Sequence, residues 1–153
     1  MIDKLKQLFS ASLGQNAERV LADHEQAKKL AAVALMIEII AVDEQQYEQE
    51  KSLLRQILTQ QFDVTAQAAE NLIQQAETAH ADATDFYRFT SEINHYFDAD
   101  EKIDLIEVLW QLAWADTHIH ELEQHVIRRL ANLLHVSHKD FIAAKLRVVG
   151  HSA

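Results

Sequence analysis

Residues 103–128 read IDLIEVLWQLAWADTHIHELEQHVIR, an apolar helical run, a short acidic loop and the start of a second helix. Residues 30–55, LAAVALMIEIIAVDEQQYEQEKSLLR, align with them without a gap at a shift of 73 positions. The loop acids then coincide: Asp43 with Asp116, Glu48 with Glu121 and Glu50 with Glu123. Arg55 also pairs with Arg128, and apolar character matches at Leu30/Ile103, Val33/Ile106, Leu35/Val108, Met36/Leu109, Ile37/Trp110 and Ile39/Leu112. Chance overlap of two amphipathic helices accounts for the apolar matches but less readily for the acids. The pair is read as an internal pseudo-repeat.

Working outward, the chain has no proline and only Gly14 and Gly150, so the residues that most strongly break helices are almost absent. Ala, Leu, Gln and Glu are abundant, all good helix formers. Of the 153 residues, 48% are hydrophobic and 25% charged, as in an ordinary globular protein. The expected fold is all-α, a bundle of about seven or eight helices built from two helix–loop–helix halves. The spacing predicts one domain over residues 17–150, preceded by a short helix and linker over residues 1–16. Ile2, Leu5, Leu8 and Phe9 give that first helix an apolar stripe, read as a surface that docks on the domain rather than on a membrane.

Within the domain, residues 17–42 are apolar over so much of the helix circumference that a central position follows. Leu53, Leu54, Ile57, Leu58 and Phe62 form the next stripe, ended by residues 63–65. Ala69, Leu72, Ile73 and Ala76 face inward from the helix after that, and Phe86, Phe89, Ile93 and Phe97 from the following one. Acids at 98–101 cap the second central helix, where they favour the positive end of the dipole. Ser137 and Asp140 form a capping pattern at the last helix.

Composition also excludes functions. A net charge of −10 disfavours non-specific attraction to nucleic acid or anionic membrane. With no cysteine there is no disulfide and no thiolate metal site. No apolar run reaches the roughly 18–20 residues of a membrane span, and the first residues lack a signal-peptide pattern. A cytoplasmic location is the default. There is no glycine-rich phosphate loop, cysteine nucleophile or nucleophile elbow, and an enzyme is not expected.

The chemistry lies in the acidic loops. In each copy an acid at a helix end (Asp43, Asp116) precedes two at the opening of the next helix (Glu48 and Glu50; Glu121 and Glu123). Such a corner offers the oxygen ligands that hard divalent cations require. If the two halves packed with two-fold symmetry, Asp43, Glu50, Asp116 and Glu123 would gather. Two carboxylates about 4 Å apart repel by roughly 4 kcal/mol at an effective dielectric near 20, so a converging set calls for a cation or for protons. The competing reading is that the acids only end helices and favour dipoles. The loops are not EF-hands, lacking the acid ladder and the central glycine.

These junctions, Ala41-Val42-Asp43 and Trp114-Ala115-Asp116, each with Glu seven residues on, resemble the TerB family, associated with tellurite resistance. The resemblance spans about residues 22–148. It implies a helical bundle whose acids hold a divalent cation, proposed to be Ca2+, with Mg2+ and Zn2+ as alternatives. The implied ligands are Asp43, Glu50, Asp116 and Glu123, with Glu48 and Glu121 secondary. The family's glycine after the Asp is Glu44 in one copy and Thr117 in the other, so the turn is built differently. Tellurite resistance itself is not inferred, and a general stress or metal response is as far as the role extends. The alternative is a metal-free scaffold whose acidic surface meets a protein partner of unknown identity; oligomeric state is open.

Other constellations carry less. His118 and His120 beside Asp116 are read as solvent-facing loop residues. HELEQH places its second histidine at i+5, off the face a zinc protease motif uses. Trp110 and Trp114 are read as core filling, and Tyr87 and Tyr96 as an outward patch. Glu92 with His95 fits a di-iron pair once, without a second pair.

Overall fold

The computed structural model describes residue 5 and residues 19–42, 44–82, 87–115 and 119–150. Seven α-helices occupy them: α1 Arg19–Ile40, α2 Tyr47–Gln56, α3 Ala66–Asp82, α4 Tyr87–Tyr96, α5 Ala99–Ala113, α6 Glu121–Leu133 and α7 His138–Val149. A 3-10 turn, Glu44–Gln46, leads into α2, and a π turn, Ile57–Gln61, extends it. The described residues contain no strand, and the chain folds as the all-α bundle expected. No helix among them is long and apolar enough to cross a membrane.

Two helices form the centre. In α1 every residue from Ala31 to Ile37, and then Ile39 and Ile40, is buried. In α5 the run Asp104–Trp110 is buried, followed by Leu112 and Ala113. They pack on each other; α3 and α4 cover α1, and α7 covers α5. A helix can be apolar around its whole circumference only if neighbours enclose it, which is why the two most hydrophobic segments became the axis. The predicted inward residues of α3 (Ala69, Leu72, Ile73 and Ala76) are all buried, as are Phe89, Ile93 and Phe97 around α4. Phe86 lies outside the described residues, as does the expected linker before residue 17.

Helix ends follow local chemistry. Asp98 caps α5 by accepting from Glu101 N–H at 2.8 Å, while Glu101 Oε1 accepts from Asp98 N–H at 2.9 Å, a reciprocal capping box. Ser137 Oγ accepts from Asp140 N–H at 3.1 Å to start α7. With so little glycine, left-handed turns fall to other residues: Asp63 (φ 57°) after the π turn and His135 (φ 62°) after α6. At His135 the chain closes as a Schellman motif, Val136 N–H reaching Ala131 O at 2.9 Å and His135 N–H reaching Asn132 O at 3.1 Å. Asp and His tolerate this conformation better than β-branched residues do.

Leu5 is fully buried, and its N–H donates to Asp104 Oδ2 at 3.2 Å, tying the N-terminal segment to α5 at that point. The remainder of residues 1–18 lies outside the described set.

Candidate functional site

Both acidic corners start from helix ends of the same construction. At the end of α1, Ala41 N–H donates to Ile37 O at 2.9 Å and Val42 N–H to Ile39 O at 3.2 Å. At the end of α5, Trp114 N–H donates to Trp110 O at 2.9 Å and Ala115 N–H to Leu112 O at 3.3 Å. Each bond has its counterpart 73 residues on, so each helix tightens from an i−4 to an i−3 bond one residue before its aspartate. Asp43 and Asp116 themselves, with Thr117 and His118, lie outside the described residues.

Across each corner the next helix opens at nearly the same register, α2 at Tyr47 and α6 at Glu121. Here the four glutamates separate into two kinds. Glu50 is 5% exposed and Glu123 0% exposed, whereas Glu48 and Glu121 lie at the surface. Two residues along a helix is a turn of about 200°, so the first acid of each pair must face outward if the second faces the core. Glu123 Oε1 accepts from His120 N–H at 3.3 Å, which places its carboxylate over the first turn of α6. His120 is partly buried rather than solvent-facing as expected. Among the described residues no three His, Asp or Glu side chains converge closely enough to hold a metal ion.

The first corner has a polar neighbour that the sequence did not single out. Tyr47, at the start of α2, donates to Glu77 Oε2 on α3 at 2.5 Å, and Lys51 Nζ approaches the same oxygen at 2.8 Å. Burial, then the bond to Glu77, then the charges of Glu77 and Glu48, push the Tyr47 hydroxyl well above the ordinary phenol range. Burial works to raise the Glu77 carboxyl, but hydrogen bonds from Lys51 and Tyr47 and the charges of Lys51 and Arg55 outweigh it and hold the group low. Arg55 pairs with Glu70, a second tie between α2 and α3.

Two buried acids on α5 were also missed. Asp104 receives the Leu5 N–H, and Glu107 Oε1 receives Arg147 Nε of α7 at 2.6 Å. Their counterparts 73 residues earlier are Ala31 and Ala34, so neither belongs to the repeated pattern. The available signal was their position inside a run apolar on every side. Both serve as ties between elements.

Residues 29–146, more than three quarters of the 153, match the family model described as tellurite resistance protein TerB. The chain belongs to the TerB family. The matched span contains both corners of this TerB-family protein, from Asp43 to Glu50 and from Asp116 to Glu123. No curated protein and no solved structure gives a match. Trp110 is fully buried against Phe141 at 5.3 Å between ring centres, which makes it core; Trp114 is half-buried, and Tyr96 is exposed beside His95.

The acids expected as ligands are chemically suited to a hard divalent cation. Their side chains are carboxylates, the hard oxygen ligands of Ca2+ and Mg2+, and the chain has no thiolate to favour a softer metal. The two acids of the set that lie among the described residues are both withdrawn from water.

Proposed function

We propose that this TerB-family protein is a non-enzymatic, cytoplasmic module that binds a divalent cation, Ca2+ first, through Asp43, Glu50, Asp116 and Glu123. The observation that carries the reading is the burial of Glu50 and Glu123, 73 residues apart, while Glu48 and Glu121 two residues before them stay at the surface. Withdrawing a carboxylate from water costs several kcal/mol. A cation supplies counter-charge there and gives a reason for the same cost to recur in both corners. Bound there, it would join the end of α1 to α2 and the end of α5 to α6, so metal availability would set the stiffness of the surface they form.

Isothermal titration with Ca2+, Mg2+, Mn2+ and Zn2+, on the wild type beside Asp43→Asn/Asp116→Asn, tests this. Saturable heat with the wild type that the double variant loses is expected. No heat and an unchanged melting temperature with any of the metals would overturn it.

The scaffold reading draws on one observation, the lack of a three-ligand group among the described residues. It expects stability unaffected by chelator and a basic partner that high salt releases.

A further inference from the structure

The helices that follow the two acidic corners are not held alike. In α6 an acid and three apolar side chains are buried, Glu123, Ile127, Leu130 and Ala131. In α2 only Glu50 and Leu54 are buried, and Leu54 stands towards the C-terminal end. Tyr47 and Leu53 are partly buried against the core. The first turns of α2 are held largely by polar contacts instead. The Tyr47 hydroxyl donates to Glu77 Oε2 at 2.5 Å, Lys51 Nζ reaches the same oxygen at 2.8 Å, and Lys51 Nζ stands 5.9 Å from the centre of the Tyr47 ring. Arg55 pairs with Glu70 one turn further on. Tyr47, Lys51 and Arg55 are at i, i+4 and i+8 on α2, so they form one stripe that clasps α3. The clasp belongs to the first corner. The shift of 73 lays α7 over α3 and puts Ala143 and Gly150 where Glu70 and Glu77 stand, while Lys51 becomes Gln124.

Beyond α2 the chain is built as a pivot. Phe62 N–H reaches back five residues to Ile57 O at 3.2 Å. The Thr59 hydroxyl donates to Arg55 O at 3.0 Å, a side-chain bond of the kind that bends helices. Asp63 follows with φ 57°. Ile57, Leu58 and Phe62 are buried, and Gln61 Nε2 donates to Gln111 Oε1 of α5 at 3.1 Å, so the turn itself is anchored. Single π turns within helices often mark functional sites.

We propose that the first half of α2 is a lever that swings about the π turn when the Glu77 clasp opens, carrying Glu50 out of the first corner. Swinging it breaks the clasp but returns the Glu50 carboxylate to water, and the one buried apolar anchor, Leu54, lies close to the fulcrum. Swinging α6 would strip Ile127, Leu130 and Ala131 from the core, so the second corner stays closed. Tyr47, Lys51 and Glu77 are positioning residues, acting through the place they give Glu50. The consequence for metal rests on the reading of the corners as cation sites; the motion does not. Where an ion binds only the closed form, the apparent affinity of the first corner is its intrinsic affinity multiplied by the closed fraction. The clasp then regulates one corner and leaves the other alone.

The chain has no cysteine, so paired spin labels can be placed at will on the full-length protein. Gln49→Cys with Gln74→Cys spans the clasp, and His125→Cys with Leu146→Cys spans α6 and α7; all four positions are exposed. Without metal, the first pair is expected to show one short separation. Adding Tyr47→Phe or Glu77→Gln should populate a second, longer separation, and the pair across α6 and α7 should not change. Ca2+ should return the longer population to the short separation. If about a tenth of Glu77→Gln molecules stay closed, calorimetry should show Kd raised about tenfold at one corner and unchanged at the other. An absence of Ca2+ heat in the wild type overturns the cation reading, and the metal-free separations then decide the lever by themselves. Should Glu77→Gln lose the native fold, Lys51→Gln carries the same expectation. One unchanged short separation in the folded variants, or an equal lengthening across α6 and α7, overturns the proposal.

Discussion

Replacing Glu123 by Gln removes a charge and almost nothing else. The amide keeps an oxygen where Oε1 accepts the His120 N–H at 3.3 Å, so the cap of α6 survives, and the side chain volume is unchanged. What goes is the negative charge of a proposed ligand on a fully buried side chain. A cation that binds only the folded state stabilises it by about 2.7 kcal/mol at a hundredfold excess over Kd. For a domain of this length, about 2–4 °C in Tm accompanies each kcal/mol, so Ca2+ should raise the wild-type Tm by about 5–11 °C. Glu123→Gln, and likewise Glu50→Gln, should remove most of that increment. The control is supplied by the exposed neighbours: Glu121→Gln and Glu48→Gln lie on the same two helices but face outward, and should keep it. Differential scanning calorimetry with Ca2+ and with chelator reads all five proteins. If Glu123→Gln folds and keeps the full increment, or if Glu121→Gln and Glu123→Gln lose it equally, the distinction between buried and exposed acids is wrong.

Two further outcomes concern the frame that holds the corners. Asp98→Ala removes the reciprocal cap of α5 and should cost about 1 kcal/mol in urea unfolding, without changing the slope of the transition. Tyr47 contributes through its protonated form, because its folded pKa lies above the free phenol value of about 10. Its stabilisation is complete below that value and is lost as pH rises beyond it. Tyr47→Phe should therefore destabilise at pH 7 by about 1.5–3 kcal/mol, the range for a bond to a charged group, with the gap to wild type closing in alkali.

The bundle was legible in the sequence because its signal is periodic and redundant. α3 shows four small or branched residues at helical spacing, and all four are buried; α1 is apolar on every side and lies at the centre. The caps at Asp98 and Ser137 were readable from residue types three positions apart. The π turn at Ile57–Gln61 was not, since periodicity of 3.6 and of slightly more than 4 cannot be told apart over five residues. Asp104 and Glu107 escaped for a different reason: each depends on a partner about 99 or 40 residues away, Leu5 and Arg147, and such pairings leave no local trace. Within the corners, the shift of 73 paired six acids, and the family resemblance ranked Glu50 and Glu123 above Glu48 and Glu121. Burial draws the same line, but burial itself depends on which way each helix faces its neighbours.

The central claim is that the carboxylates of both corners serve one kind of ion. A crystal structure of the protein grown with saturating Ca2+ measures this directly. The account predicts density for Ca2+ with oxygens of Asp43 and Glu50, and of Asp116 and Glu123, at about 2.3–2.6 Å. One ion reached by all four would mean that the corners meet. Both corners ordered and without an ion at saturating Ca2+ would contradict it.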